Sequence, residues 1–417
     1  MSNLDDTAWK KQSESLIEVQ KQGTGLEKLV RSVLNWPSGK MVYDVDRGYR
    51  VQVDAVYPSL TSPQIVASVT YTNPDQRGHS NENKFQLKVG ELVLLKSAYP
   101  DVKVVLVLGG AKEAWLSYVL NAFEVFFDEV ICLWESGGTE RLHAIAQAPS
   151  SVQPKHGTFW GQVRAERIAR ALTADNTPAP NSSVRYGVLD ALKAQNPIVY
   201  NPTLITNEIA QLCMRRSYDL DGAEWQSYLK ENWGSIEMSR NYFNPVEAAV
   251  EISLTAAGVA FEGGIARDIA VPSLLHDLGM PETKVSEDFV LFSEALNQPV
   301  YVQCKASGGG RTQHGKNIQN RTKEQTTRSI LYTCSSTDGK SLHWKEKAFH
   351  WISVLDGDWG VTKAETLKYI HMLELAGYDK IFPAGSLLSP DLAVLRQGNP
   401  LIEYVTGPLK CRMLKKQ

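Results

Sequence analysis

The sequence predicts a mixed α/β protein in which one order of helices and strands occurs twice, once on each side of a mainly helical stretch. Three observations predict it. Residues 1–135 read as α-β-β-β-α-β-α-β. From about residue 240 the same order begins again. Between them, at 150–240, the strand pattern gives way to helical periodicity split by a Pro/Asn/Ser-rich loop at 176–183.

The first copy opens with a helix that runs to Leu34 through LEKLVRSVL (26–34). Two apolar, β-branched runs follow, MVYDV (41–45) and YRVQVDAVYP (49–58), joined by a turn at Asp46-Arg47-Gly48. A third strand is QIVASVTYT (64–72), and a helix covers about 83–98. The strand VKVVLVLGG, the helix EAWLSYVLNAFEVFF and the strand DEVICLW complete the copy. In the second copy the helix FNPVEAAVEISLTAAG leads to the strand EDFVLF (287–292) and then to VYVQCKAS (300–307). A helix from about 316 to 332, the strand KAFHWISVLDG, the helix ETLKYIHMLELAG and the short strand DKIFP close it. Laying LEKLVRSVL over VEAAVEISL (246–254) sets Glu27 opposite Glu247 and Asp54 opposite Asp288. The expected domains are therefore 1–148, a helical linker or recognition region at 149–240, and 241–417.

Composition bounds the class. With 43% hydrophobic and 22% charged residues the chain is an ordinary globular protein. No run approaches ~18 consecutive apolar residues, so no membrane partner is expected. The polar, acidic start lacks the basic-then-apolar character of a secretory signal, and an intracellular, cytoplasmic location is expected. Five cysteines without CxxC or Cys/His spacing argue against a zinc cluster or a disulfide framework.

The net charge of −2 disfavours a nucleic-acid binder taken as an average. The charge is not evenly spread, however. Residues 305–329 hold six cations (Lys305, Arg311, Lys316, Arg321, Lys323 and Arg328) against one acid, Glu324, a local charge of +5. One basic patch on a neutral protein suits DNA binding with limited non-specific adhesion.

The chemistry gathers just before that patch. Asp288 lies near the start of one strand, and Gln303 and Lys305, two apart on the next, point to one face. Phosphodiester hydrolysis needs a hard cation held by oxygens, an activated water and charge stabilisation at phosphorus. A nearby lysine orients the water or stabilises the charge.

These residues resemble the PD-(D/E)xK nuclease superfamily, which includes most type II restriction enzymes. Asp288 matches its strand aspartate, and Gln303-Cys304-Lys305 matches (D/E)xK with Gln in the acidic place. Glu247 matches the helix acid, with Glu251 one turn later as its substitute. The resemblance implies a restriction-endonuclease-like mixed sheet flanked by helices, Mg²⁺ as cofactor, and the Asp288 and Gln303 side chains with the Cys304 carbonyl around the metal. It implies double-stranded DNA as substrate, a homodimer, and a cognate DNA methyltransferase that protects host DNA in a bacterial cell. Within the same chemistry a repair or modification-dependent nuclease is the alternative. From another class the rival is a non-catalytic DNA-binding protein.

After Lys305, the segment ASGGGRTQHGKNIQNRTKEQTTRS offers glycines for close backbone approach and Arg, Asn and Gln for base edges. Arg311, Lys316, Asn317, Asn320, Arg321, Lys323 and Arg328 are the expected DNA contacts. No GK[ST] follows the glycines, which excludes a P-loop NTPase. The first copy has Ser68 and Thr70 where the second has Gln303 and Lys305, so it is expected to be catalytically silent and to serve recognition or assembly. Lys84, Gln86 and Lys88 on its following helix are the residues placed to compensate. His314, His350, Asp356 and Asp358 read as structural.

Overall fold

A computed structural model describes residues 21–44, 49–73, 77–173, 245–270, 284–305, 311–336, 338–355, 372–373, 377–383, 387 and 399–414. The chain forms two compact units, and both are mixed α/β. The first is built chiefly from residues up to Glu166, the second chiefly from Glu282–Thr333 and Lys345–Gln417 with the helix and strand that precede them.

In the first unit, helix α1 (21–34) leads into β1 (Gly39–Asp44) and β2 (Tyr49–Val53), an antiparallel pair. After Asp54 the chain continues as β3 (Ala55–Pro58), antiparallel to β4 (Pro63–Tyr71). Helix α2 (Arg77–Ala98) crosses to β5 (Lys103–Gly109), which lies parallel to β4. Helix α3 (Ser117–Phe126) and parallel β6 (Glu129–Cys132) follow, then α4 (Gly138–Gln147) and α5 (Gly157–Thr173). The sheet order is β3-β4-β5-β6. The near-continuous apolar runs of β4 and β5 are what a strand covered on both faces requires. Val30 and Leu34 of α1 pack on Ala67, Val69, Val105 and Val107 of those strands.

The second unit repeats this order. Helix α6 (Pro245–Ala257) leads to β7 (Glu262–Ala270), antiparallel to β8 (Lys284–Ser293). β8 is antiparallel to β9 (Gln298–Lys305), and α7 (Arg311–Thr333) follows. After a short pair, β10 (Cys334–Ser335) and β11 (His343–Trp344), come β12 (His350–Leu355), parallel to β9, and β13 (Lys380–Pro383), parallel to β12. Helix α8 (Pro400–Thr406) is capped by Asn399, whose side chain accepts from Leu401 N and Ile402 N. The sheet order is β13-β12-β9-β8-β7. Val250 and Leu254 of α6 join Val300, Val302, Ile352 and Val354 in the core. They correspond to Val30 and Leu34, so Glu27 and Glu247 occupy matching places one turn earlier.

Several expectations shift. β7 was not expected, because EGGIARDIA mixes charges with two glycines. Gly263 belongs there for space: a Cβ would lie 2.4 Å from Phe289 Cδ1 and 3.0 Å from the Asp288 carbonyl oxygen. α2 and α7 begin earlier than residues 83 and 316. The Cys334–Trp344 pair belongs with the first unit rather than with 241–417. There Leu342 N donates to His156 Nδ1 at 3.4 Å, and the rings of Trp344 and Phe159 lie 6.4 Å apart. Of the expected helical middle, α5 is described and 174–244 lies outside the described residues. So do the glycines at 308–310, Asp356, Asp358 and nearly all of the expected helix at 365–377. Among the described residues, no helix is long and apolar enough to cross a membrane.

Candidate functional site

In the second unit, the ladder between β8 and β9 ends at the pair Phe289–Val302. Asp288 is the next residue, and its carboxylate replaces the missing main-chain partner. Asp288 Oδ2 accepts from the Cys304 N–H at 2.6 Å. A charged acceptor makes this bond stronger than a neutral one, and it fixes Asp288 against the Gln303-Cys304-Lys305 tripeptide. The first unit does the same. The β3–β4 ladder ends at Ala55–Ala67, and Asp54 Oδ2 accepts from the Val69 N–H at 2.7 Å. This shared bond equates Asp54 with Asp288, Ser68 with Gln303, and Thr70 with Lys305.

Gln303 is 1% exposed, and its oxygen is occupied. Oε1 accepts from Gln325 Nε2 at 3.1 Å and from the Tyr378 hydroxyl. Gln325 Nε2 also donates to Ser353 Oγ at 3.2 Å, while Gln325 Oε1 is buried with no hydrogen-bond partner among the described residues. Tyr378 stacks on Trp351 with centroids 3.8 Å apart. Gln303 thus joins β9 to α7 and to the segment before β13. The metal-ligand role implied for Gln303 competes with two donors already in place.

Glu287 is also buried. It accepts from the Tyr332 hydroxyl at 2.5 Å and from Trp351 Nε1 at 3.5 Å, and pairs with Arg328 at 3.5 Å. Burial, then the Glu287 charge, raises the pKa of both Tyr332 and Tyr378, so both stay protonated donors. Burial, the largest single influence, works against the Arg328 charge, but Glu287 with Tyr332, Tyr378 and Asp288 together raise the pKa. Arg328, expected at DNA, is drawn onto Glu287 and anchors α7 to β8.

The remaining expected residues fall as follows. Lys305 ends β9, paired with Leu355; its side chain lies outside what is described, as do those of Arg311, Lys316, Asn317 and Arg321 on α7. Asn320 is exposed and Lys323 half-buried on that helix. Glu247 is half-buried and Glu251 fully buried on α6. His350 Nε2 lies 2.9 Å from the Tyr404 hydroxyl, with Asp379 at 3.6 Å, a structural setting.

The first unit gathers more charge than its sequence suggests. Lys88 Nζ lies 2.9 Å from Ser68 Oγ, 3.1 Å from Glu91 Oε2 and 3.9 Å from Asp54 Oδ2. Arg31 Nε donates to the Asp54 carbonyl at 2.9 Å, and its NH2 lies 3.5 Å from Glu27. Burial would lower the Lys88 pKa, but Glu91 and Asp54 outweigh it and the amine is held charged. Burial, then the Asp54 charge, raises Glu27. Because Lys88 donates to Ser68 as Gln325 does to Gln303, α2 and α7 correspond, with Glu91 at the place of Arg328. Glu91 and Gln325 were not singled out from the sequence; the i, i+3 step from Lys88 to Glu91 on one helix face was the available signal.

Among the described residues, no group of three or more His, Cys, Asp or Glu is arranged to hold a metal ion. A hard cation such as Mg²⁺ takes few protein oxygens and keeps its waters. The Asp288 carboxylate, fixed beside the Cys304 main chain, is an oxygen donor of the kind such a cation takes. Comparison with protein-family models, curated proteins and solved structures gives no match.

Proposed function

We propose that the chain is a Mg²⁺-dependent endonuclease of double-stranded DNA, of the type II restriction kind, with a hydrolytic centre at Asp288 and Lys305. One observation carries the reading: the 2.6 Å bond from Cys304 N–H to Asp288 sets a strand carboxylate against the tripeptide that ends in Lys305. Asp288 and the Cys304 carbonyl are the groups that would hold Mg²⁺, which lowers the pKa of bound water and polarises the phosphate. Asp288 orients the reacting phosphate's surroundings, and Lys305 supplies positive charge where it develops at phosphorus. Gln303 positions β9 through Tyr378 and Gln325. α7 carries the DNA surface, with Arg311, Lys316 and Lys323 on phosphates and Asn317, Asn320 and Arg321 on base edges.

With this role go a cytoplasmic bacterial setting, a homodimer that brings two centres to a duplex, and a companion methyltransferase. A non-catalytic DNA-binding role is the second reading, favoured by the occupied oxygen of Gln303. Supercoiled plasmid with Mg²⁺ or with EDTA separates the two. Linearisation in Mg²⁺ alone, lost in Lys305→Ala, is expected. A wild-type chain that binds duplex but leaves plasmid intact in Mg²⁺ would establish the second reading.

A further inference from the structure

We propose that Glu287 is the positioning residue of the second unit's centre: clamped by Arg328, Tyr332 and Trp351, it fixes the stretch of β8 that neither neighbouring strand holds and so aims the Asp288 carboxylate. Its effect on cutting rests on the nuclease reading of that centre. Its effect on the bond between Asp288 and Cys304 does not.

Three observations carry this. First, the main chain at Asp288 lies in a gap. The β8–β9 ladder ends at Phe289–Val302. On the other side, β7 pairs Gly263 with Phe289 and Arg267 with Glu287, so the register jumps opposite Asp288. Among the described residues, neither ladder includes Asp288. Irregularities of this kind re-aim a side chain. Second, the preceding residue is held by its side chain instead. Glu287 is 1% exposed, and it accepts from the Tyr332 hydroxyl at 2.5 Å and Trp351 Nε1 at 3.5 Å, with Arg328 at 3.5 Å. Helix α7 and strand β12 thus both grip one carboxylate of β8. Stability does not explain the choice, because well-packed apolar residues do as well as a buried ion pair or better. Third, the first unit shows that apolar solution. Val53 precedes Asp54 as Glu287 precedes Asp288. The match of α2 to α7 sets Leu95 at the place of Tyr332. The pairing of Ser68 with Leu106, and of Gln303 with Ser353, sets Val104 at the place of Trp351. Val53, Leu95 and Val104 are all buried. The acid and its donors therefore occur only in the unit that carries Gln303-Cys304-Lys305.

The clamp fixes Asp288 from one side. Glu287 cannot slide along β8 or rotate without leaving a buried charge short of donors, which costs more than losing a neutral bond. Phe289, paired with both Val302 and Gly263, fixes Asp288 from the other side. Between two held residues, the Asp288 carboxylate is kept where Cys304 N–H meets it at 2.6 Å. The Asp288 charge in turn acts on Arg328 and on Tyr378, so the clamp and the site share one surrounding. Such placing matters, because a misplacement of about 1 Å can lower a rate by roughly 100-fold. Glu287 is itself too deeply buried to meet a duplex and acts only through Asp288.

The test uses the full chain and three variants, each below its unfolding midpoint. Glu287→Val/Tyr332→Leu installs the first unit's side chains, Tyr332→Phe removes one hydroxyl, and Glu287→Gln keeps an acceptor oxygen. Hydrogen exchange of the Cys304 amide reads the bond to Asp288 without any need for activity. Cutting of duplex with Mg²⁺, with kcat and KM separated, reads the chemistry. In the double variant the Cys304 amide should exchange roughly 10-fold faster or more, the scale of losing one hydrogen bond. Its kcat should fall by roughly 10- to 100-fold, with KM within about threefold of wild type. Tyr332→Phe should move both readouts the same way by a smaller factor, and Glu287→Gln should lie nearer to wild type than the double variant. A Glu287 that only supports the fold would lower the unfolding midpoint and leave both readouts alone. An unchanged Cys304 amide, or an unchanged kcat where the wild-type chain cuts, overturns the proposal. If the double variant does not fold, the same two readouts on Tyr332→Phe decide. If the wild-type chain does not cut duplex, the nuclease reading fails, and the Cys304 amide alone decides: faster exchange in the variants upholds the aiming of Asp288 by Glu287, and unchanged exchange overturns it.

Discussion

Asp288 has two tasks that substitution separates. As an acceptor it satisfies the N–H of Cys304, a residue 2% exposed, at 2.6 Å. As a carboxylate it is the proposed ligand for Mg²⁺. Asp288→Ala removes both and leaves a buried N–H unpaired, which costs ~1–3 kcal/mol. Asp288→Asn keeps a neutral oxygen for that N–H and should cost less than ~1 kcal/mol. For a unit of this size, each kcal/mol moves the unfolding midpoint by about 2–4 °C. Asp288→Ala should therefore lower the second unit's transition by roughly 2–12 °C, and Asp288→Asn by only a few degrees. The local assay is hydrogen exchange of the Cys304 amide, followed on fragments that cover β9. Exchange should quicken in Asp288→Ala and stay near wild type in Asp288→Asn, while both lose linearisation. An amide equally protected in wild type and Asp288→Ala would show that the side chain does not close the ladder, and the superposition of Asp288 on Asp54 would lose its basis.

Gln303→Ala should unfold earlier than wild type by more than Tyr378→Phe or Gln325→Leu alone, because it strands two buried donors at once; each orphan costs ~1–3 kcal/mol, and a double-mutant cycle in which Gln303→Ala and Tyr378→Phe add without coupling would argue against the bridge. Gln303→Glu keeps an acceptor oxygen for both donors and should unfold later than Gln303→Ala; equal midpoints would argue against the bridge. Burial pushes the Lys84 amine down from its ordinary 10.5 to about 8. Since the unfolded chain holds that proton more tightly, its burial weakens folding at neutral pH, and stability should recover as pH rises from about 8 towards 10.5; a ¹³C-methylated Lys84 resonance that titrates with the other lysines would refute this. Asn320→Ala and Arg321→Ala should each weaken specific binding by ~1–3 kcal/mol per lost base contact, and unchanged affinity and sequence preference in both would remove α7 from the recognition surface.

Most of the fold was legible because its signals are local. The apolar runs of β4, β5, β9 and β12 and the repeated helix pattern that buries Val30 and Leu34, or Val250 and Leu254, need no tertiary information. The placing of Ser68 and Thr70 opposite Gln303 and Lys305 was likewise readable from the sequence, and the two backbone hydrogen bonds agree with it. What escaped depends on three dimensions. β7 carries too few apolar residues to announce itself; it is specified by Gly263 fitting under Phe289. The Gln303 side chain reads as a ligand from its place in Q-C-K, yet Gln325 and Tyr378, 22 and 75 residues away, decide its partners. Arg328 reads as a DNA contact from composition, but the buried Glu287 beside it is visible only once β8 and α7 are packed. Lys88 could be named as a compensating residue from its helix; its reach to Ser68 and Asp54 depends on how α2 is fixed on the sheet. The fully buried Lys96–Asp128 pair, at 2.7 Å with Val104 N–H on the same oxygen, provides that anchor.

The most direct measurement is strand cutting at saturating duplex, with Mg²⁺, by the wild-type chain and by Asp288→Asn and Lys305→Ala. Both variants should bind duplex within roughly threefold of wild type, because affinity comes mainly from phosphate contacts elsewhere on the surface. Both should lose linearisation by about 100-fold or more, the effect of removing one charge-handling group from a hydrolytic centre. Linearisation at the wild-type rate by both variants, with affinity intact, would contradict a catalytic centre at Asp288 and Lys305.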